Sequence, residues 1–286
     1  MSAETVSHLI EAAAAQLREA GVAKPRREAN RLWAWQNRSN PGDSYLDRHR
    51  TAVAGRATQF RVAVERRIRG EPLAYVLGHT GFRRLDLRCD ARALIPRPES
   101  EDVVELALAR CRTGRALDMG TGTGCLALAL ADEGEFAATV AVDCSAPALE
   151  LAAENAGATG LAIRLVRSDL GAGLGDERFD LLVSNPPYLT EAEFAALDPS
   201  VRDWEPAIAL VAGQDGMAVA GRILREADRL LTPRGWLIME VDSSRGGAAA
   251  AIAERVGWQE VAVHKDLFGL DRYLTARRGR SGGGGR

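Results

Sequence analysis

The chain of 286 residues has little cysteine, histidine or lysine and no long uninterrupted apolar run. Its four cysteines lie 22, 14 and 19 positions apart, which matches neither a zinc-finger spacing nor a disulfide-dense domain. The four histidines include no HxxxH pair. The most apolar stretch, residues 116–131, contains Asp118, glycines and threonines, and it is shorter than the ~20 apolar residues that cross a membrane. These absences exclude the structural-zinc, disulfide-scaffold and membrane-spanning classes.

The N-terminus lacks a basic segment followed by an apolar core, so no signal peptide is expected and the cytoplasm is the predicted location. With 46% hydrophobic and 27% charged residues, the composition is typical of a folded globular protein. The length predicts one large domain and one small domain. Residues 1–85 carry 15 basic against 8 acidic side chains, whereas the remainder carries 22 against 31. This asymmetry indicates an anionic or RNA-associated partner for the front of the chain, or simply solvated helix faces.

Helical periodicity dominates the first 70 residues. Apolar residues recur at helical spacing in residues 4–20 and 26–37, and a third stripe consists of Val53, Ala57, Phe60, Val64 and Ile68. Residues 1–72 are therefore predicted to form a helical bundle. In the segment 73–95, Leu85, Leu87 and Cys89 alternate with charged residues, which predicts one arm of a β-hairpin linking two domains.

From Arg115 onward, short apolar segments alternate with helical patterns, as expected for βαβ units around a mostly parallel sheet. The predicted strands are 115–119, 138–142, 162–166, 179–184, 235–241, 258–264 and 272–276. The fold class is therefore α/β, with a seven-stranded Rossmann-like domain over residues 96–277. The glycine-rich tail 278–286 has nothing to bury and is predicted to be disordered.

A glycine-rich turn follows the first strand of this domain. Gly120, Gly122 and Gly124 allow the backbone to turn sharply and approach a ligand at the start of a helix. Asp143 ends the next strand, where a carboxylate can accept hydrogen bonds from ribose hydroxyls. A dinucleotide-binding turn would place glycine or alanine at the position of Cys125. The pattern therefore favours a nucleoside without a pyrophosphate, namely S-adenosylmethionine.

A second motif follows the fourth strand, residues 179–184. Asn185-Pro186-Pro187-Tyr188 lies where open α/β sheets bind their ligands. An amide or aromatic amine nitrogen is a poor nucleophile, but the Asn185 side-chain oxygen and the rigid Pro186 carbonyl can accept its hydrogens and align it. Tyr188 can cover the planar group and exclude water. The motif indicates methyl transfer to nitrogen, with orientation supplying the catalysis.

Taken together, the motifs resemble those of the HemK/PrmC family, bacterial methyltransferases that modify the glutamine of the Gly-Gly-Gln loop in class I peptide chain release factors. The resemblance covers most of the chain. It rests on the glycine turn, Asn185–Tyr188 and further ordered segments: Arg69–Tyr75 with Gly78 and Phe82, Leu94–Glu101, Ser168-Asp169, Glu205-Pro206, Ala209-Leu210, Gly213–Gly216 and Asp266–Arg272.

The resemblance implies a class I S-adenosylmethionine-dependent methyltransferase fold with an N-terminal helical domain that contacts the release factor. The implied cofactor-binding residues are Gly120, Thr121, Gly122, Thr123, Gly124, Asp143, Leu170 and Asn185. The implied substrate-binding residues are Asn185, Pro186, Pro187 and Tyr188, with Asn185, Pro186 and Tyr188 as the catalytic set. Arg97 and Glu99 are further site candidates, with an interdomain salt bridge as the alternative.

The chain shows three departures from the family pattern. Leu170 replaces a frequent aromatic residue beside the adenine, and Ser100 replaces the commoner threonine. Glu240-Val-Asp242-Ser-Ser-Arg245 replaces the usual Glu-x-Gly-x-x-Gln. The third departure bears on the partner more than on the chemistry.

Four other functions compete with this interpretation. A ribosomal-protein glutamine methyltransferase would carry Pro-Arg-Ser-Pro where this chain has Pro96–Glu101. A DNA methyltransferase acting on an exocyclic amine would need a basic phosphate groove, and the catalytic half is acidic. A nicotinamide-dependent oxidoreductase would leave the Asn185–Tyr188 motif unexplained. A binding module that has lost catalysis would not require that motif to be intact.

Overall fold

The computed structural model describes residues 4–40 and 42–279, which divide into two compact units. The first comprises residues 4–78 with Pro199–Trp204, and the second comprises His79–Asp198 and the chain from Glu205 onward. The first unit thus extends beyond the boundary predicted at residue 72. Of the tail 278–286, predicted to be disordered, residues 280–286 lie outside the described residues.

The first unit is helical, as the sequence predicts. Its helices are α1 (Val6–Glu19), α2 (Pro25–Asn37), α3 (Asp43–Leu46), α4 (Ala54–Ile68), α5 (Leu73–Leu77) and α10 (Pro199–Arg202). The Thr5 side chain caps α1 by accepting a hydrogen bond from the His8 backbone N–H. In the core, the rings of Trp33 and Phe60 pack edge to face with centroids 5.4 Å apart. The apolar faces of α1, α2 and α4 meet there.

Two residues of the predicted third stripe do not contribute to this core. Val53 precedes α4 and is 64% exposed, and Ile68, the last residue of α4, is 38% exposed. Both lie at the ends of the helix, outside the cluster of buried side chains. Residues 73–77, predicted as part of the hairpin segment, form α5 instead. Val76 and Leu77 are buried in the helical core, which places α5 in the first unit.

The second unit begins with the predicted hairpin, β1 (His79–Phe82) and β2 (Leu85–Arg88), paired antiparallel. The strands of its large sheet are β3 (Thr113–Met119), β4 (Glu135–Asp143), β5 (Arg164–Arg167), β6 (Phe179–Ser184), β7 (Leu231–Glu240), β8 (Gln259–Lys265) and β9 (Asp271–Arg277). Its helices are α6 (Glu101–Leu108), α7 (Cys125–Glu133), α8 (Ala146–Thr159), α9 (Glu191–Ala195), α11 (Ala218–Leu230) and α12 (Gly246–Val256).

The seven strands lie in the order β5-β4-β3-β6-β7-β9-β8. The first five are parallel, and β9 runs antiparallel to both β7 and β8. The chain moves from β3 to β4 on one side and later returns to β6 on the other. The carboxyl end of β3 is therefore a topological switch point, where open α/β sheets bind ligands.

Alternating side chains build a core on each face of this sheet. On one face, Leu117 and Leu182 pack in a cluster with residues of α11 and α12. On the other, Ala116 and Leu181 pack with residues of α6 and α7. Since strands covered on both faces must be apolar throughout, this burial explains the continuous apolar runs in the sequence.

The described chain contains no helix long and apolar enough to cross a membrane. Within residues 4–40 and 42–279, no group of three or more His, Cys, Asp or Glu side chains could hold a metal ion. All four cysteines are free, as expected for reduced thiols. Burial raises the pKa of the Cys89 and Cys125 thiols to about 12, so both are neutral at ordinary pH.

Candidate active site

The carboxyl ends of the parallel strands open into a cavity of about 540 Å³. Residues 120–123 after β3, residues 142–145 at the end of β4, and residues 185–187 after β6 all line it. The segments 92–97 and 168–170 complete its walls, with further contributions from Pro206, Ile208, Ala209, Val211 and Ile223. The two motifs singled out in the sequence therefore face the same space.

The glycine turn requires its glycines. Gly120, Gly122 and Gly124 have φ angles of +80°, +56° and +84°, in the left-handed region that side chains with a Cβ seldom adopt. A Cβ on Gly120 would meet no atom within 4 Å, which leaves room for a ligand at the cavity wall. Gly124 lies outside the cavity lining: a Cβ there would come within 3.3 Å of Ala152 in α8. Its conformation lets α7 begin close to α8.

Asp143 holds the turn together and faces the cavity. Its two carboxylate oxygens accept hydrogen bonds from the backbone N–H groups of Gly122 and Ser145, each 2.9 Å long. Each oxygen keeps a second lone pair, so the carboxylate can also accept from vicinal hydroxyls of a bound ribose. Asp143 therefore shapes the site and supplies the acceptor that the sequence predicts.

Asp118, fully buried beneath the same turn, accepts hydrogen bonds from the Thr121 hydroxyl at 2.6 Å and the Ala127 N–H at 3.2 Å. Its other oxygen, Oδ1, has no hydrogen-bond partner among the described residues. Burial raises the pKa of Asp118 to about 7, although both hydrogen bonds favour the ionised form. Asp118 and Asp143 therefore both hold the glycine turn, each through a hydrogen bond to a different residue of it.

The register of the sheet sets Asn185 beside Glu240. Ser184 pairs with Met239 across β6 and β7, so the next residue on each strand lies at the same edge. The Ser184 hydroxyl donates to the Met119 carbonyl at 2.6 Å, which ties the end of β6 to β3. The Asn185 Nδ2 donates to Ser100 Oγ at 2.8 Å, and Ser100 Oγ donates to Glu240 Oε2 at 2.6 Å.

Glu240 and Ser100 are both buried, at 2% exposure each. Burial raises the pKa of Glu240 to about 7, opposed by the Ser100 hydrogen bond and by the positive charges of Arg272 and Arg97. In the sequence, Ser100 and Glu240 stand out only as parts of family segments. A carboxylate at the end of the strand next to β6 is the signal that could have identified Glu240 as a site residue.

Tyr188, predicted to cover the substrate, does not belong to the described cavity lining, although residues 185–187 do. Its side chain is half-buried, and burial raises its pKa to about 12, with the Glu240 charge acting in the same direction. Tyr188 is therefore a neutral phenol next to the buried carboxyl. Its covering role stays a prediction.

The remaining site candidates differ in whether they line the cavity. Leu170 lines the cavity and has a φ of +50°. Arg97 lines it too, and its guanidinium donates to the buried Glu205 carboxylate at 2.6 Å. This ion pair lies within the second unit, whereas the alternative in the sequence analysis was a salt bridge between domains. Glu99 is absent from the cavity lining as described, and its backbone carbonyl accepts from the Tyr273 hydroxyl at 2.8 Å.

Arg245, which stands where the family pattern has glutamine, has a structural role. The Arg245 guanidinium donates to both Glu193 carboxylate oxygens at 2.8 Å and to the Asp215 carbonyl at 3.2 Å. A Cβ on Gly216 would lie 2.5 Å from Arg245 Nε, so only glycine leaves space for this side chain. Arg245 thus joins α9, which follows the Asn185 motif, to the loop before α11.

Comparison with known proteins narrows the class of molecule. Residues 8–78 match the family described as PrmC N-terminal domain, and residues 102–198 match the Methyltransferase small domain. A methyltransferase structure from Pyrococcus furiosus shares the fold, with a TM-score of 0.53 and 18% identity over 79% of this chain and 100% of that one. A 16S rRNA N2 G1207 methyltransferase from Thermus thermophilus also shares the fold, with a TM-score of 0.50 and 19% identity. The match covers 70% of this chain and 49% of that one.

Two curated relatives are named release factor glutamine methyltransferase. The protein from Nitratidesulfovibrio vulgaris is 39% identical over 281 residues, covering 96% of this chain and 95% of the relative. The protein from Cereibacter sphaeroides is 39% identical over 270 residues, covering 94% of this chain and 96% of the relative. Fold and site define an α/β methyltransferase with a Rossmann-like sheet. Similarity to these relatives over nearly the whole length defines the family more narrowly than the fold does. The chain belongs to the release factor glutamine methyltransferase family.

Proposed function

We propose that the protein transfers a methyl group from S-adenosylmethionine to the side-chain amide nitrogen of the glutamine in the Gly-Gly-Gln motif of class I peptide chain release factors. The observation that carries the proposal is one cavity lined both by the glycine turn with Asp143 and by Asn185-Pro186-Pro187. A nucleoside site and an amide-orienting site must share a space for methyl transfer between them. Family membership supplies the substrate class.

The cavity fits the cofactor. Asp143 offers free lone pairs for ribose hydroxyls, and the open space where Gly120 lacks a Cβ leaves room at the cavity wall. Leu170, Ala148 and Ile223 provide apolar surface that suits the adenine ring. When bound, the cofactor supplies an electrophilic methyl group on a sulfonium.

The chain's own residues orient the nucleophile. The Asn185 side-chain oxygen and the Pro186 carbonyl would accept the two hydrogens of the substrate amide and hold its nitrogen in line for attack. Proline at 186 and 187 limits backbone movement at this point. No general base is assigned, because the nitrogen releases its proton after it has been methylated. Tyr188 would cover the planar amide from one side.

An exposed apolar turn supports a protein substrate. Leu267 and Phe268 are 93% and 80% exposed, and Leu270 is 48% exposed. This apolar turn (Leu267, Phe268 and Leu270) connects β8 to β9. Because Glu240 pairs with Tyr273, the start of β9 lies at the same sheet edge as the cavity. Apolar side chains held in water beside an active site are typical of a surface that receives a macromolecule.

The turn is held rigidly in this exposed position. The Asp266 carboxylate accepts hydrogen bonds from the N–H groups of Phe268 at 2.9 Å and Leu270 at 3.0 Å, and from Arg272 at 3.3 Å. We assign to this turn a contact with the release factor. The PrmC-type N-terminal unit, with the excess of basic residues, is the second contact that we propose, and the cytoplasm stays the predicted location.

The test incubates purified protein with labelled S-adenosylmethionine and either an intact release factor or one in which the Gly-Gly-Gln glutamine is alanine. Ribosomal protein and duplex DNA serve as parallel substrates. Label on the intact factor alone is the expected result. Label on ribosomal protein or DNA would contradict the proposed substrate and favour one of the two competing methyltransferases. Absence of label on every substrate, with cofactor binding retained, would favour the binding module.

A further inference from the structure

Three polar side chains from distant parts of the sequence form a chain of hydrogen bonds at the cavity wall. Glu240 ends β7, Asn185 follows the neighbouring β6, and Ser100 immediately precedes α6. The Asn185 Nδ2 to Ser100 Oγ distance is 2.8 Å, and the Ser100 Oγ to Glu240 Oε2 distance is 2.6 Å. Ser100 therefore touches both other members, and Ser100 and Asn185 both line the cavity.

The direction of these hydrogen bonds follows from the chemistry of the groups. An ionised carboxylate can only accept, so Glu240 requires the single proton of the Ser100 hydroxyl. The remaining lone pairs of Ser100 can then only accept, and they require a donor from Asn185. The amide of Asn185 must therefore turn its NH2 group to Ser100, which leaves the oxygen Oδ1 as its free acceptor.

We propose that Ser100 and Glu240 are positioning residues that orient the Asn185 amide, so that its oxygen accepts a hydrogen bond from the substrate nitrogen. The proposal rests on the proposed function, in which Asn185 binds the substrate amide. Without the anchor, the Asn185 side chain can rotate and present its NH2 group to another NH2 group. Two donors then face each other, and the nitrogen loses the acceptor that aligns it.

The environment of Glu240 makes this orientation depend on pH. Arg272 and Arg97 favour the ionised carboxylate, whereas Glu99 disfavours it, and Tyr188, Tyr273 and Cys125 are further titratable groups that interact with it electrostatically. Burial dominates and raises the pKa of Glu240 to about 7. A protonated Glu240 can donate to Ser100, whose proton is then free to bind Asn185 Oδ1. Acidification through this range thus removes the constraint on the amide.

The experiment compares Ser100→Ala with Ser100→Thr, which keeps the hydroxyl, by measuring kcat, KM for the release factor and Kd for S-adenosylmethionine. Loss of one hydrogen-bonded anchor is expected to lower kcat ~10-fold to 100-fold, the equivalent of about 1.4–2.8 kcal/mol. Cofactor Kd should stay within about threefold, and the threonine variant should retain a kcat close to that of the unmodified protein. Equal loss in both variants would overturn the proposal, as would an unchanged kcat in Ser100→Ala.

A double-mutant cycle separates orientation through Asn185 from a general effect on folding. In an Asn185→Ala background, Ser100→Ala should have no further effect on kcat, because the side chain that it orients is gone. Additive losses would overturn the proposal. Unmodified protein that fails to label a release factor would instead contradict the proposed function, so the two failures are distinguishable.

A spectroscopic measurement gives a readout apart from activity. The chain has five asparagines, so selective ¹⁵N-asparagine labelling yields a simple side-chain amide spectrum, and Asn185→Ala assigns the relevant pair. These resonances should shift as the pH falls through about 7, and the shift should be absent in Glu240→Gln. The coupling would be overturned if the Asn185 resonances did not shift with pH in the unmodified protein. It would also be overturned if they titrated in the Glu240→Gln variant as they do in the unmodified protein.

Discussion

Asn185 and Asp143 line the same cavity but have different partners, so their substitution should affect different measurements. Asn185→Ala removes an acceptor for the substrate amide, and we expect turnover to fall ~10²- to 10³-fold. Affinity for S-adenosylmethionine, measured by calorimetric titration, should change only a few-fold because Asp143 and the glycine turn are intact.

Asp143→Ala should do the reverse. The change deprives Gly122 and Ser145 of the acceptor for their N–H groups and removes the acceptor for ribose hydroxyls. Hydrogen bonds to charged groups contribute about 1.5–3 kcal/mol, so the cofactor Kd should rise ~10-fold to 100-fold. Turnover at saturating cofactor should stay near that of the unmodified protein. Equal effects of both substitutions on both quantities would contradict the assigned roles.

Individual site residues could be predicted from the sequence where the signal is local. The glycine turn and Asn185 follow apolar strands and Asp143 ends one, so chain order alone places them at one edge of a parallel sheet. Ser100 and Glu240 differ, because they are 140 positions apart and their contact depends on how α6 packs against β7. A pattern along the chain contains no information about that packing.

Among the elements, the apolar turn between β8 and β9 leads to a prediction about substrate size. The combined change Leu267→Ser and Phe268→Ser should raise KM for an intact release factor ~10-fold, since central apolar contacts carry more than about 1 kcal/mol each at protein interfaces. KM for a short peptide containing Gly-Gly-Gln should not change, because a peptide that fills only the cavity does not reach the turn.

A matched control uses an apolar residue at the other edge of the sheet. Val256 ends α12 and is 39% exposed, and the following strand begins at Gln259, opposite Arg277 at the end of β9. Val256→Ser should leave both KM values unchanged. A similar rise for this control, or a rise for the peptide in the turn variant, would argue against a contact between the turn and the release factor.

The elements themselves were predictable to different degrees. The strand 179–184 coincides with β6, which is buried on both faces and followed directly by the Asn-Pro-Pro segment. The predicted strand 162–166 is displaced from β5, Arg164–Arg167, because β5 is a short edge strand with charged ends. Val53 shows the corresponding limit for helices: it has the correct spacing for the apolar stripe, but it precedes α4.

At the scale of the molecule, length and periodicity correctly indicated a helical unit followed by an α/β unit. The inclusion of Pro199–Trp204 in the first unit could not be predicted, since this segment interrupts the second unit. Within the first unit, Gly70 lies close to this segment, because a Cβ on Gly70 would be 3.5 Å from Trp204 Nε1. Such a contact joins residues more than 130 positions apart.

Two buried carboxyls in the second unit, Asp118 and Glu240, make the stability of the protein sensitive to pH. The pKa of Glu240 is raised from 4.5 to about 7 in the folded state. Between these pH values the folded protein binds more protons than the unfolded chain, so the free energy of unfolding falls as the pH rises. The contribution of Glu240 is fully present below pH 4.5 and is lost above about pH 7, a change of about 3 kcal/mol.

Glu240→Gln isolates this effect, because glutamine has a similar shape, can still accept from Ser100 and does not titrate. Urea unfolding of both proteins at pH 5, 6, 7 and 8 gives the difference in unfolding free energy at each pH. The stability of the unmodified protein relative to the variant should decrease from pH 5 to pH 7 and then level off. Parallel stability curves would show that Glu240 titrates at its ordinary pKa, which would remove the basis for a pH-dependent orientation of Asn185.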